Sequence, residues 1–308
     1  MRMVLERMAR ANFVPLHALS PVQARAAYEK AASVLDLPPA RIGHVEDFTL
    51  QARDGHALSA RLYLPRELSA KQSPGVLLFF HGGGFVVGSL DTHDSLCRSL
   101  CHLARCAVLS VGYRLAPEWR FPTAFEDAWD ALCWLKARGS DKGLDTARVA
   151  LGGDSAGGTL AAACAVQASI QNIDLRLQML FYPGCGARQN NRSHHLFGQG
   201  FLLELAHIDY FFGHYLRAER DREDWRFAPM LAPDLDGVAP AWIGLAECDP
   251  QFDDGRDYAD RLRAAGVKVE LEIYAGVVHD FVRMGRAIDT AGQAHQDAAR
   301  ALRQAFGE

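Results

Sequence analysis

A serine between glycines is the clearest chemical signal in this sequence. The segment Gly153-Asp154-Ser155-Ala156-Gly157 has the G-x-S-x-G pattern, between a strand predicted at 148–151 and a helix of small residues predicted at 156–170. A serine on such a tight turn presents its hydroxyl to a carbonyl carbon, and glycines let the turn form without Cβ clashes. The pattern therefore predicts Ser155 as the nucleophile of an acyl-transfer reaction, with an ordinary strand-to-helix turn as the plain alternative.

A second glycine-rich segment, His81-Gly82-Gly83-Gly84-Phe85, directly follows the apolar run 75–80, which is typical of a buried strand. Bare backbone N–H groups at this point can approach a ligand. Acyl transfer needs such donors at the developing oxyanion, and each contributes about 2.7–4 kcal/mol of transition-state stabilisation. A flexible glycine turn is the alternative. The expected donors are the N–H groups of Gly82, Gly83, Gly84 and Ala156.

The general base is sought after the serine, because the chain order for this arrangement is Ser, then Asp or Glu, then His. Only His279 comes just after a strand pattern, 267–274, in a loop that leads into a helix. The other histidines fall in an aromatic-rich insertion or in the final helix, where surface or packing roles are expected. These other candidates are His194, His195, His207, His214 and His295.

The acid that orients the base is expected to lie between Ser155 and His279. Asp249 follows the apolar run 241–246 and precedes Pro250, so it stands at the carboxyl end of a predicted buried strand. The 30 residues from Asp249 to His279 leave room for one helix and one strand. Neighbouring carboxylates compete with Asp249 for this role: Glu247, Asp253 and Asp254.

The elements that position these segments alternate along most of the chain, which predicts a mostly parallel eight-stranded sheet with helices on both faces. Predicted strands cover 45–52, 57–64, 75–80, 107–111, 148–151, 176–182, 241–246 and 267–274. Predicted helices cover 92–103, 122–138, 156–170, 254–265 and 284–306. The pair Asp54-Gly55 indicates a hairpin between the first two strands. All four chemical segments follow predicted strands, where active sites of such sheets lie.

Two segments do not fit the sheet. Residues 1–44 include an amphipathic helix predicted at 21–36, and residues 188–224 are rich in Phe, His, Tyr and Leu. We expect 1–44 and 188–224 to form a helical cap over an apolar pocket, on a catalytic domain of 45–187 and 225–308. The same aromatics could instead pack into the core. The expected substrate-binding residues are Phe201, Leu202 and Phe212.

Composition excludes several classes of function. The net charge of −4 and the absence of a basic run give no indication of nucleic-acid binding. No apolar stretch is long enough for stable membrane insertion, and residues 1–10 lack the apolar region of a signal peptide. Seven cysteines without framework spacing favour a reduced, cytoplasmic protein. Nucleotide-binding and zinc-protease patterns are missing, so we expect no cofactor and no metal.

Together these motifs resemble the hormone-sensitive-lipase-like, or family IV, bacterial esterases of the α/β-hydrolase superfamily, over most of the chain. The segments that carry the resemblance are His81 to Phe85, Tyr113 to Glu118, Phe121-Pro122 with Asp127, Gly153 to Gly158, Asp249-Pro250, and His279 with Phe281. The resemblance implies that Asp249 is the acid and His279 the base, and that His81 positions the oxyanion loop. Gln251 and Asp280 depart from the family's DPL and HGF patterns.

The resemblance also implies a small-molecule substrate, an ester with a short- to medium-chain acyl group. Amide hydrolysis or acyl transfer on the same triad is an alternative. A second alternative is a ligand receptor of the same fold, but such receptors keep the serine and lose the histidine, whereas this chain has His279. The sequence leaves a homodimer open.

Overall fold

The computed structural model describes residues 1–11, 14–66 and 73–307, and within these ranges the chain forms one eight-stranded sheet in the order β1-β2-β4-β3-β5-β6-β7-β8. The strands are β1 His44–Gln51, β2 Ala57–Leu64, β3 Val76–Phe80, β4 Ala107–Gly112, β5 Val149–Asp154, β6 Leu177–Phe181, β7 Ala241–Cys248 and β8 Val269–Val278. β2 pairs antiparallel with β1 and with β4, and the other pairings are parallel. The predicted α/β-hydrolase fold is confirmed, as is the hairpin at Asp54-Gly55.

Strand β3 shows why the central strands are mostly apolar. Val76, Leu78 and Phe80 face one hydrophobic cluster, whereas Leu77 and Phe79 face another on the opposite side of the sheet. Successive side chains of a strand alternate between its faces. A strand covered by helices on both faces is therefore apolar at most positions.

Helices cover both faces of the sheet. They are α1 Arg2–Arg10, α2 Pro21–Ala32, α3 Asp94–Ala104, α4 Thr123–Arg138, α5 Ala156–Ile170, α6 Arg192–Phe197, α7 Leu205–Tyr215, α8 Phe252–Ala264 and α9 Asp289–Phe306. Helices α3 and α9 pack against one face, and α4, α5 and α8 against the other. Elements α1, α2, α6 and α7 lie in the two segments that did not fit the sheet. No helix in the described ranges is long and apolar enough to cross a bilayer.

Several element ends differ from the prediction, and the largest difference is at the start of α9. The predicted helix 284–306 begins only at Asp289, after a short 3-10 turn at Phe281–Arg283. The backbone of 285–286 instead packs on the N-terminal segment, because the Arg286 N–H donates to the carbonyl of Leu35 at 3.0 Å. Tertiary contacts therefore override a helical pattern here. Helix α2 also ends at Ala32, before the predicted end at 36.

Candidate active site

Ser155 stands on the sharp turn between β5 and α5. Its φ of 52° and ψ of −122° are strained for a residue with a side chain, and this backbone aims the hydroxyl away from the sheet. The turn requires very close backbone approach: a Cβ on Gly157 would lie 1.9 Å from the carbonyl oxygen of Phe80. The G-x-S-x-G pattern therefore forms the tight strand-to-helix turn that a serine nucleophile needs.

Three side chains that are distant in sequence form one hydrogen-bonded chain at this turn. Nε2 of His279 lies 2.9 Å from Oγ of Ser155, and Nδ1 of His279 lies 2.6 Å from Oδ2 of Asp249. Asp249 is fully buried and His279 is nearly so. Burial alone would lower the pKa of His279, but the Asp249 carboxylate outweighs it and raises the pKa above its ordinary value. The arrangement suits an imidazole that accepts a proton from the serine.

A β-bulge in β8 brings His279 level with Asp249. Ala246 pairs with Tyr274, but the next pair is Cys248 with Val278, so β8 advances four residues while β7 advances two. Gly276 lies in this bulge with a φ of +67°, and its N–H donates to Oε2 of Glu247 at 2.7 Å. Bulges often re-aim side chains beside active sites. Without the extra residues, Val278 and His279 would extend past the end of β7.

The competing carboxylates are occupied elsewhere. Glu247 is exposed and binds the bulge. Asp253 accepts the N–H of Ser193 at 2.8 Å and pairs with Arg256. Asp254 accepts from Nδ2 of Asn191 at 2.6 Å. Asp253 and Asp254 therefore hold α6 and the residues before it, and only Asp249 reaches His279.

Asp254 is the most perturbed of these groups, because burial, with a further contribution from Asp249, raises its pKa to about 8. The folded chain then keeps a proton that the unfolded chain releases above about pH 4. The free energy of unfolding should therefore fall as pH rises from about 4 to about 8. In Asp254→Asn this loss should disappear. Urea unfolding of both proteins at pH 6 and pH 9 tests this. If the free energy of unfolding differs between variant and wild type by the same amount at both pH values, the prediction is contradicted.

The oxyanion loop, residues 82–88, begins at the end of β3. Its backbone lies in the left-handed region at Gly83 (φ +117°) and Gly84 (φ +58°). Within the described ranges, the N–H groups of Gly83 and Gly84 and of Ala156 at the start of α5 have no protein acceptor. The N–H of Gly82 is different, because it donates to Oδ1 of Asp154 at 2.9 Å. Gly82 is therefore not free to bind an oxyanion, contrary to the expectation from the sequence.

His81 and the segment from Tyr113 to Glu118 support this loop from behind. The hydroxyl of Tyr113 donates to the carbonyl of His81 at 2.8 Å, and the two rings stack. Burial, assisted by nearby His93, lowers the pKa of His81 to about 3. Arg114 forms a buried ion pair with Asp127 that fixes the same segment. These contacts suit a structural role for His81, and His279 stays the candidate base.

The residues predicted to bind substrate lie in or near α7, with contacts of their own. Phe212 is buried against Phe227, with ring centroids 4.9 Å apart, and Phe201 packs on Phe197. Leu202 is half-buried with a φ of 73°. It is Phe211 that meets the oxyanion loop, since a Cβ on Gly84 would lie 2.2 Å from its ring. The role of Phe201, Leu202 and Phe212 in binding stays a prediction.

No metal cluster is found in the part of the chain that the structure describes. The residues His93, Cys97 and Cys101, which share one helical face in the sequence, are divided in the fold. Cys97 and Cys101 of α3 pack in the hydrophobic core, and His93, which precedes the helix, faces Asp154.

A parallel sheet with a serine on a strained turn, an imidazole at its hydroxyl and free N–H groups beside it defines the α/β-hydrolase class. A sequence model of the α/β hydrolase fold family matches residues 77–283. The chain belongs to this family, to its hormone-sensitive-lipase-like branch, and it is a carboxylic ester hydrolase.

Named relatives agree with this class. An ethyl acetate hydrolase of Pseudomonas putida is 42% identical over 293 residues, which cover 94% of this chain and 92% of the relative. The carboxylic ester hydrolase LipN of Mycobacterium tuberculosis is 42% identical over 78% of this chain and 65% of its own length. The solved structure of an ester hydrolase from the Lake Arreo metagenome, complexed with a bipyridine phosphonate derivative, has a TM-score of 0.96 and 34% identity, covering 100% of this chain and 98% of that one.

Sequence reasoning missed several residues that contact the site. Asp154 lies inside the glycine motif, so its position was visible, but its partners are not near it in sequence. The ring of Tyr182 lies 4.6 Å from that of His279. Arg283, nearly fully buried, contacts the hydroxyl of Tyr28 and so joins α2 to the loop that carries His279.

Proposed function

We propose that this chain hydrolyses short-chain carboxylic esters through a Ser155-His279-Asp249 triad and an acyl-enzyme intermediate. The observation that carries the proposal is the unbroken hydrogen-bonded chain from the Ser155 hydroxyl through His279 to Asp249. The free N–H groups of Gly83, Gly84 and Ala156 support it, because an ester carbonyl attacked by Ser155 needs donors on that side.

In the proposed reaction, His279 takes the Ser155 proton as Oγ attacks the ester carbonyl. The tetrahedral oxyanion accepts hydrogen bonds from the free N–H groups of the oxyanion loop and of Ala156. His279 then gives its proton to the leaving alcohol, and the acyl group remains on Ser155. Water, activated by the same imidazole, releases the carboxylic acid. Asp249 holds the imidazole tautomer and stabilises the imidazolium.

The proposed substrates have small acyl and alcohol groups. The relative named ethyl acetate hydrolase supports this choice, as does the Phe211 ring packed on Gly84, which limits the space above the oxyanion loop. We propose that segments 1–44 and 188–224 form the cap that encloses this space. A cytoplasmic location and a homodimer stay predictions.

The test of the proposal is to find the acyl group. The enzyme is mixed with p-nitrophenyl acetate, quenched in acid within the first turnover and digested, and the masses of its peptides are measured by mass spectrometry. An added mass of one acetyl group on the peptide that contains Ser155 is expected. Steady turnover with no acyl group on that peptide would contradict the proposal. Parallel assays with p-nitroacetanilide and with added alcohols separate ester hydrolysis from amidase and acyltransferase activity, and a receptor would give no turnover.

Phe211→Ala is expected to shift the preference toward longer acyl chains, because it opens space beside Gly84. Each methylene that gains an apolar environment contributes about 0.8 kcal/mol, or roughly fourfold in kcat/KM. The measurement is the ratio of octanoate to butyrate hydrolysis. Phe201→Ala and Phe212→Ala serve as comparisons. If this ratio changes in Phe201→Ala or Phe212→Ala but not in Phe211→Ala, the substrate-binding residues predicted from the sequence are favoured instead. If it changes in none of the three variants, the cap does not determine the acyl-chain preference.

A further inference from the structure

Asp154 is a buried carboxylate beside the nucleophile that the proposed reaction does not use. It is the last residue of β5, directly bonded to Ser155, and it is 1% exposed. Its Oδ1 accepts the N–H of Gly82 at 2.9 Å, and its Oδ2 lies 3.3 Å from Nε2 of His93. A buried charge is costly unless it is paired, so these two contacts need an explanation.

Both partners of Asp154 belong to the same stretch of chain. Gly82 begins the oxyanion loop, and His93 immediately precedes α3, at the point where the chain leaves the loop region. Nδ1 of His93 lies 2.8 Å from Oγ1 of Thr92, which is bonded in turn to the backbone of Ser89. One carboxylate therefore ties the beginning of segment 82–93 to its end.

The fit around this carboxylate is close. A Cβ on Gly82 would lie 2.2 Å from Oδ2 of Asp154, so any other residue would displace the loop from it. A Cβ on Gly88 would lie 2.4 Å from the carbonyl oxygen of Gly82, so the loop also packs tightly on itself. The beginning of the loop therefore packs directly on Asp154, and Gly88 packs on that same beginning.

The charge state of Asp154 favours stable hydrogen bonds to Gly82 and His93. Burial raises the pKa of Asp154, but His93, assisted by Arg283 and His81, outweighs burial and holds the pKa below its ordinary value. The carboxylate is therefore charged at neutral pH, and a charged acceptor makes a stronger hydrogen bond to Gly82 than a neutral one.

We propose that Asp154 is the positioning residue of the oxyanion loop, which holds the N–H groups of Gly83 and Gly84 at a fixed distance from the Ser155 hydroxyl. Because Asp154 is the neighbour of Ser155 in the chain, one residue sets both the nucleophile and the donors that face it. The inference rests on the proposed function, since it assigns those N–H groups to the oxyanion.

The test compares an oxygen ester with its thionoester, in which sulfur replaces the carbonyl oxygen. Sulfur is larger than oxygen and is a weaker hydrogen-bond acceptor, so hydrolysis of the thionoester depends less on the oxyanion donors. Asp154→Ala is expected to lower kcat for p-nitrophenyl acetate about 100-fold, the effect of losing one well-placed donor, with little change in KM. Hydrolysis of the thionoester should fall much less, so the oxygen-to-sulfur rate ratio should drop.

Two variants control for a general loss of structure. Asp154→Asn keeps an acceptor for the Gly82 N–H and should recover most of the rate and of the ratio. Asp253→Asn is the matched control, because Asp253 is also buried and accepts a backbone N–H, but its partners are Ser193 and Arg256. It should leave the ratio unchanged. If Asp154→Ala does not fold, His93→Ala cuts the other end of the tie and should lower the ratio in the same direction.

The inference would be overturned if Asp154→Ala or His93→Ala slowed hydrolysis of the oxygen ester and of the thionoester equally, so that the oxygen-to-sulfur rate ratio stayed at the wild-type value. Failure of the proposed function gives a different result. In that case Ser155→Ala would still hydrolyse the oxygen ester, or the wild-type enzyme would show no acyl group on Ser155, whatever happens at Asp154.

Discussion

Ser155→Ala is expected to lower kcat about 10⁶-fold, by analogy with serine hydrolases in which the nucleophile was removed. The strained turn aims this one hydroxyl at the imidazole of His279, and alanine supplies no atom that could form the acyl-enzyme. The measurement is kcat for p-nitrophenyl butyrate, with circular dichroism and thermal unfolding to confirm that the variant is folded. The residual rate should come from the oxyanion donors and from substrate binding alone.

Ser169→Ala is the control for this experiment. Ser169 lies near the C-terminal end of α5, the helix that begins directly after Ser155, and its hydroxyl donates to the carbonyl of Asp236. Its replacement should leave kcat near the wild-type value. A folded Ser155→Ala enzyme that still turns over at a near wild-type rate would refute the assignment of the nucleophile.

Asp249→Asn should lower kcat by up to about 10⁴-fold, because an amide at this position favours the wrong imidazole tautomer. Asp249 accepts from Nδ1 of His279 at 2.6 Å, and this bond leaves Nε2 free to take the serine proton. An asparagine can offer its NH₂ to Nδ1, and the proton then moves to Nε2, where it blocks proton transfer. The measurement is kcat for p-nitrophenyl butyrate over a range of pH.

The neighbouring carboxylates provide isosteric controls. Asp253→Asn and Asp254→Asn alter contacts with Ser193 and Asn191, and both should keep kcat close to the wild-type value, because neither carboxylate contacts Ser155 or His279. A loss of several thousandfold in either control, with Asp249→Asn nearly unaffected, would move the acid to that position.

The strands and the motif segments were predictable because their signals are local. Each central strand is mostly apolar, with single polar residues such as Ser110 and Gln178, and each chemical segment follows a strand pattern, so the strand ends could be read without tertiary information. The chain order of serine, acid and base left six histidines, and only His279 among them follows a predicted strand. The eight strands lie close to the predicted positions for this reason.

The remaining features depend on contacts between distant segments. The start of α9 is displaced because the backbone near Arg286 bonds to Leu35. Gly82 was also expected to be an oxyanion donor, but its N–H donates to Asp154, 72 residues away in the sequence. Phe211 and Phe212 are adjacent on a helix and equally apolar. Only the packing of α7 reveals which of them reaches the oxyanion loop.

The bulge in β8 makes the number of residues between Tyr274 and Val278 more important than the identity of the exposed Ala275. Ala275 and Gly276 are exposed, so exchanging Ala275 for another residue disturbs few contacts. Removing one residue would turn the following side chains to the opposite face and carry His279 away from Asp249. In a mutational library, position 275 should tolerate substitutions, whereas deletion of a residue between Tyr274 and Val278 should abolish activity.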